Sequence, residues 1–177
     1  MDFIELKKNI KDATKQAFLE MYEKHGDEGI YAFALYSDEG AMTVCPSTNT
    51  LDYLATKKDD EDFKYYKFEP AEWKYEMQGA NRLFNEISKL CWNEVEKNED
   101  NDDAFETFQN QLYQTSIEVL SELKSENFFR QIVGKDIFLI FTVTEYEFSK
   151  KELKSIINVL NDNEYNKEYL EWMKTWK

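Results

Sequence analysis

Apolar residues recur every three or four positions near the start of the chain, at Phe3, Leu6, Ile10, Ala13, Ala17 and Met21. That spacing places them on one face of a helix. Asp2 followed by Glu5 makes a capping-box start, and Gly26 after His25 makes a stop. Beyond Gly29 the period changes. Tyr31, Phe33 and Leu35 fall on one side of a strand, and Ile30, Ala32, Ala34 and Tyr36 fall on the other. Both sides are apolar, which predicts a strand covered on both faces. Ser37-Asp38-Glu39-Gly40 reads as a turn in which Gly40 takes positive φ. Ala41–Cys45 is expected to return as a second strand, with Pro46 ending it or holding it at an edge. Ser47-Thr48-Asn49-Thr50 follows as a polar shelf, with Asn49 or Thr50 capping a short helix over Thr50–Lys57.

The alternation of aromatic and charged residues over Phe63–Glu76 predicts a short strand and then a turn at Pro70. Two long helices follow. One carries a stripe of Leu83, Ile87, Leu90, Cys91 and Val95. The other, capped by Asp103 with Glu106, carries Phe105, Phe108, Leu112, Ser116, Val119 and Leu123. The acid-rich run Glu94–Asp103 between them is the expected mobile loop. Ile137–Val143 reads as a third strand, apolar on both faces and therefore central. Ser149 with Glu152 is a capping box for a helix burying Leu153, Ile156, Ile157 and Leu160. A last helix presents Tyr165, Tyr169, Met173 and Trp176. With no internal repeat or linker, residues 1–177 form a single domain. The class is α+β: a small, mainly antiparallel sheet with amphipathic helices packed on it.

Composition narrows the function. Hydrophobic residues make up 42% of the chain and aromatics 16%, enough for one sizeable core. Only 5 Gly and 2 Pro occur, which argues against a turn-dense all-β fold and against glycine-rich phosphate loops. With 36 acidic against 22 basic residues the net charge is −14. Such a chain lacks the cations that nucleic acid requires, and an anionic membrane repels it. Acidic surface keeps a protein soluble, and it also attracts a basic protein. The strongest charge signals are Asp59-Asp60-Glu61-Asp62 and the group Glu99, Asp100, Asp102, Asp103. They are the expected steering surfaces, with Trp73 as the aromatic anchor beside them. Two cysteines make no disulfide framework, and neither a secretory apolar segment nor a membrane-length apolar run is visible. The expected compartment is the cytoplasm.

Catalytic motifs are absent: no glycine-rich phosphate loop, no HExxH, no GxSxG and no CxxC. One histidine makes a multi-histidine metal site impossible, the acidic runs do not match a calcium loop, and no cofactor is implied. His25 suits a helix C-terminus, where a cation meets the dipole favourably. Cys45 and His25 are a conceivable nucleophile–base pair, although small buried thiols are common in strands and Cys91 lies on an apolar stripe. The alternative ligand or active site is the hairpin and shelf: Tyr36, Asp38, Thr43, Cys45, Ser47, Thr48 and Asn49. Residues of these types also cap helices and close turns. Trp92, Trp172 and Trp176 are candidates for core packing, and the aromatic last helix for an oligomer contact.

The run Tyr31–Asn49, YAFALYSDEGAMTVCPSTN, followed by Tyr66–Tyr75, YKFEPAEWKY, resembles a bacterial domain-of-unknown-function family numbered forty-three-oh-three. The hairpin, the shelf and the PAEWKYE segment carry the resemblance, which extends over nearly the whole chain. It implies no particular activity and transfers no functional residues. Acidic bacterial domains of this size include immunity proteins of toxin systems. The expected function is therefore a non-catalytic binding protein, an immunity protein or antitoxin that neutralises a basic toxin. The alternatives are an enzyme built on the 36–50 hairpin and shelf, and an oligomerising module.

Overall fold

A computed structural model describes residues 1–144 and 148–176. The elements are α1 (Phe3–His25), β1 (Ile30–Asp38), β2 (Cys45–Thr50), α2 (Leu51–Ala55), α3 (Phe63–Phe68), β3 (Tyr75–Glu76), α4 (Asn81–Lys97), α5 (Asp102–Ser125), α6 (Phe128–Val133), β4 (Phe138–Thr144), α7 (Lys150–Leu160) and α8 (Glu164–Met173). The four strands form one sheet in the order β3-β2-β1-β4. The β1–β2 and β2–β3 pairings are antiparallel, and β1–β4 is parallel. A parallel neighbour needs a long crossover, and α4, α5 and α6 lie on it. The class is α+β, with a mixed sheet.

The sheet separates two apolar layers. On one side α1, α4, α5 and α6 pack on Phe33, Leu35, Leu139 and Phe141. Phe18 sits edge-on to Phe33 at 5.4 Å and to Phe129 at 4.8 Å. Each such ring removed from water contributes about 1.5–3 kcal/mol. On the other side Tyr31, Ala32, Ala34 and Phe138 meet Phe68, Trp73, Ile157, Tyr169 and Met173. The register of β1 against β2 shifts between Ile30 and Ala32. This irregularity turns Ile30 into the first layer and Tyr31 into the second, the reverse of simple alternation.

Several elements differ from the sequence expectation. The second strand is Cys45–Thr50, so the polar shelf is itself the strand, and Ala41–Val44 is the connection. The left-handed residue there is Ala41, at φ 53°, rather than Gly40. Pro46 lies inside β2. Its carbonyl accepts from the Met77 N–H at 2.9 Å, so its missing donor faces the short edge strand rather than β1. Phe63–Phe68 is a helix, and only Tyr75–Glu76 is extended. The cap of α5 is Asn101, whose side chain accepts from the Ala104 N–H at 3.1 Å, in place of Asp103. Helix α4 reaches Lys97, which shortens the expected loop to 98–101. Phe84 is buried with Ile87 and Cys91 in place of the expected Leu83, and Leu90 is exposed.

β4 is an edge strand, although both of its faces are covered. Buried Asn161, just past α7, seals that edge. Its Oδ1 accepts from the Leu139 N–H at 2.9 Å and its Nδ2 donates to the Leu139 carbonyl at 2.7 Å, as a neighbouring strand would. The capping box Ser149–Glu152 and the buried stripe of α7 stand as the spacing predicts. Among the described residues no helix is long and apolar enough to cross a membrane.

Candidate functional site

The shelf residues are turned into the fold, where they tie the strand internally. Ser47, Thr48, Asn49 and Thr50 are fully buried. Ser47 Oγ donates to the Pro70 carbonyl at 2.9 Å. Asn49 Nδ2 donates to Tyr31 OH at 3.0 Å and to the Tyr66 carbonyl at 3.1 Å. Thr50 Oγ1 accepts from the Tyr53 N–H and so caps α2. These bonds fasten β2 to the 66–70 segment, which is why so polar a strand can be buried. Thr48 Oγ1 and Trp73 Nε1 are the buried side-chain polar atoms without a partner among the described residues.

The hairpin residues are close together and chemically quiet. Tyr36 OH donates to Glu76 Oε1 at 2.8 Å, and Thr43 Oγ1 donates to Asp38 Oδ2 at 2.5 Å. Burial pushes the Cys45 thiol up to about 11 and pushes the Tyr36 phenol well above its ordinary range. Both stay protonated at neutral pH, so neither is an activated nucleophile. His25 is not the partner of Cys45. Its ring stacks on Tyr75 with centroids 4.0 Å apart, and its Nδ1 lies 3.0 Å from Glu28 Oε1. Lys74 Nζ and Tyr75 OH donate to the same Glu28 carboxylate, at 2.8 and 2.6 Å, and hold it near 2. This network joins the end of α1 to β3. Cys91 is buried, and its thiol is pushed up to about 12. Among the described residues no three His, Cys, Asp or Glu side chains come together as a metal site.

Trp73 is no surface anchor. It is 3% exposed and packs against Phe138 in the second layer. Trp172 and Trp176 also turn inward, packing on each other at 4.8 Å, with Trp172 on Phe68. Trp92 on α4 is the exposed one, at 51%.

The two acidic groups are exposed but unlike. Asp59, Asp60, Glu61 and Asp62 form the α2–α3 turn, where Asp60 Oδ1 accepts from the Asp62 N–H at 2.9 Å. Lys57, Lys58 and Lys64 flank them in sequence. Glu99, Asp100, Asp102 and Asp103 surround the start of α5. The N-terminal half of α5 lies beside the end of β1: Gln109 Nε2 donates to the Glu39 carbonyl at 2.7 Å, and Tyr113 OH donates to the Asp38 carbonyl at 2.8 Å. By connectivity the 59–62 turn, which follows the other end of the β1–β2 pair, attaches at the opposite end of the sheet.

Counter-ions distinguish the acids of α5. Glu118, Glu122 and Glu126 face Lys7, Lys11 and Lys15 of α1. Lys7 reaches Glu118 and Glu122 at 2.9 and 2.6 Å, and Lys11 reaches Glu122 and Glu126 at 2.8 and 2.6 Å. Hydrogen bonds from these lysines hold the three carboxyls below the usual range. At the other end Glu94 takes both the Met1 ammonium and Lys97. Glu96, Glu99, Asp100, Asp102, Asp103 and Glu106 form no ion pair among the described residues. Trp92 lies one turn before Glu96 on α4.

Sequence reasoning missed two features. Glu69 is a half-buried carboxyl that burial pushes up to about 7. A groove of about 300 Å³ runs between α1 and α4, lined by Asn9, Asp12, Leu83, Glu86, Ile87 and Leu90. Neither the groove nor the other concavities found on the α5 and α6 sides is lined by a shelf residue. The paired ladder, by contrast, was visible in principle: lysines at 7, 11 and 15 match glutamates at 118, 122 and 126 with the same period of four.

A family model described as a domain of unknown function (DUF4303) matches residues 10–162. No curated protein and no solved structure matches the chain.

Proposed function

The chain belongs to the DUF4303 family, and we propose that it is a non-catalytic binding module that holds a basic protein against its acidic end. The observation that carries this reading is the set of six carboxylates around the α4–α5 connection with no ion pair among the described residues. The helix dipole favours Asp102 and Asp103 in the first turn of α5. It does nothing for Glu96, Glu99 and Asp100, whose mutual repulsion costs stability. Lysine and arginine side chains of a partner would remove that repulsion, and the field would speed their encounter by about 10–10³ at low salt. Trp92 takes the anchoring part that Trp73, buried in the second layer, cannot. The bland chemistry of the hairpin agrees with a protein that binds rather than catalyses: a protonated thiol, a protonated phenol and a histidine held elsewhere.

Within this reading the protein works in the cytoplasm of a bacterium, where Cys45 and Cys91 stay reduced. Its partner is a basic toxin that it neutralises as an immunity protein. The test is capture of a basic protein from the host by the immobilised chain at low salt. The comparison is a variant with Glu96→Gln, Glu99→Gln, Asp100→Asn and Asp103→Asn. A basic protein that the wild type retains, and that the variant or added salt releases, supports the function. Capture of nothing basic, or equal capture by the variant, overturns it.

A further inference from the structure

We infer that the α1–α4 groove is the seat of a basic amphipathic helix of the partner, which would give the acidic end a hydrophobic anchor. This inference rests on the binding function proposed above and names the form of its partner. Helices α1 and α4 lie antiparallel: the Met1 ammonium meets Glu94 near the end of α4, and Glu20 reaches the Ala80 N–H at its start. The groove between them holds about 300 Å³, room for large apolar side chains. Its α4 wall presents Leu83 and Leu90, seven residues or about two turns apart, with the buried Ile87 as the floor between them. An apolar stripe of that period fits the ridge of another helix. The apolar rim is costly to leave bare, since Leu90 is 41% exposed.

Charge selects the occupant. The groove carries two carboxylates, Asp12 from α1 and Glu86 from α4, and no cation lines it; Lys8 and Lys89 lie nearby on the two helices but outside the lining. One turn beyond Leu90 the wall reaches Glu94, which is paired with the Met1 ammonium and Lys97, and the unpaired acids of the α4–α5 connection lie at and past the end of the helix. A helix with leucine-like residues on one face and lysines on its flanks matches both parts: the apolar face fills the groove, and the lysines meet Asp12, Glu86 and the acidic end. A neutral or acidic helix would leave those carboxylates desolvated and unpaired.

The probe is a synthetic peptide of about 18 residues with leucine at helical spacing and lysine elsewhere. Controls replace its lysines with glutamate, or its leucines with serine. Binding is followed by fluorescence anisotropy and mapped by amide chemical-shift changes. The expected result is binding of the lysine–leucine peptide alone, with shifts along Asn9–Asp12 and Leu83–Leu90. Leu90→Gln should weaken it about tenfold, with the folded spectrum and the salt slope kept. Asp12→Asn with Glu86→Gln should weaken it and flatten the salt slope. Shifts confined to 96–106 with Leu90→Gln silent would overturn the groove while leaving the acidic end as a binding surface. Equal binding of the leucine-free peptide would overturn it in the same way. Concentration-dependent dimerisation abolished by Leu90→Gln would overturn it in favour of a second copy. If no cationic peptide binds even at low salt, both the groove and the binding function fall.

Discussion

The two halves of α5 use the same residue types in opposite ways. In the C-terminal half Glu118 and Glu122, with Glu126 at the cap just beyond, lie against Lys7, Lys11 and Lys15, and their charge is neutralised within the fold. In the N-terminal half Asp102, Asp103 and Glu106 face no cation among the described residues, and Glu96, Glu99 and Asp100 stand beside them. A net charge of −14 therefore says little by itself. What matters is where lysines answer acids and where they do not. The seam joins two helices; the bare end keeps its negative potential, with no lysine of the fold to answer it among the described residues.

The largest effect that sharpens this contrast is kinetic. Neutralising Glu96, Glu99, Asp100 and Asp103 should slow association with a lysine-rich ligand about tenfold or more at low salt and flatten its salt dependence. Replacing Lys7 and Glu118 together with glutamines should leave the rate nearly unchanged, because that pair carries no net charge. Stopped-flow mixing at several salt concentrations measures both. Equal slowing by the two variants would mean that the bare end has no special role.

Helix stripes, the Ser149 capping box and the buried β1 were legible in the sequence because each depends on local spacing. The position of β2 was not. Ser-Thr-Asn-Thr reads as a surface run until Pro70, Tyr66 and Tyr31 arrive to accept its hydrogen bonds, and those partners lie 17 to 23 residues away. Apolar faces made β4 read as central, and only Asn161, supplied from beyond α7, explains how an edge can be that apolar. Trp73 between Glu72 and Lys74 looked exposed, but in the fold it points inward onto Phe138. As for the candidate site, acidity could be read from composition. Its distribution required knowing which helix faces α1.

A carboxyl with neither a lysine nor much water offers a third case. Glu69 is pushed up to about 7 by burial, with the Ala71 N–H acting against that shift. An unfolded glutamate titrates near about 4.3. Between those values the folded state holds a proton that the unfolded state has released, so stability falls as pH rises from about 4.5 to about 7, and the loss persists above that. Glu69→Gln should be worth about 1–2 kcal/mol at pH 8, after allowance for the side chain's partial exposure, and close to nothing at pH 4. Thermal melts at the two pH values test this. A constant difference would show that Glu69 stays ionised in the fold.

The seam itself predicts a smaller change. Lys7→Glu sets like charges against Glu118 and Glu122 and should cost about 1 kcal/mol, because the pairs are partly exposed. Glu99→Lys at the bare end should cost nothing and gain a few tenths of a kcal/mol by easing repulsion. Both carboxyls at the seam are held below their usual range, so the contribution of Lys7 is complete above the unfolded glutamate range and disappears as pH falls below it. Urea melts at pH 7 and pH 3 should separate Lys7→Glu from wild type at the first and bring them together at the second. A persistent gap at pH 3 would point to lost packing of the lysine stem.

The smallest effect concerns an acid that meets backbone instead of lysine. Met77, Gly79 and Ala80 all have positive φ on the way into α4, and a Cβ at Gly79 would stand 2.9 Å from the backbone of Ala17. Ala80 is held in that left-handed state partly because its N–H donates to Glu20 at 2.8 Å, the main cause of the lowered Glu20 carboxyl. Glu20→Gln keeps an acceptor but loses its charge, and should cost about 0.5 kcal/mol. Ala80→Gly removes side-chain strain of about 1 kcal/mol and adds unfolded-chain entropy of nearly the same size, so alone it should change little. In the double variant the glycine should recover most of the Glu20 loss, since the backbone then needs no anchor to stay left-handed. Additive losses in denaturant melts would show instead that Glu20 stabilises α4 through its N-terminal dipole rather than by holding Ala80.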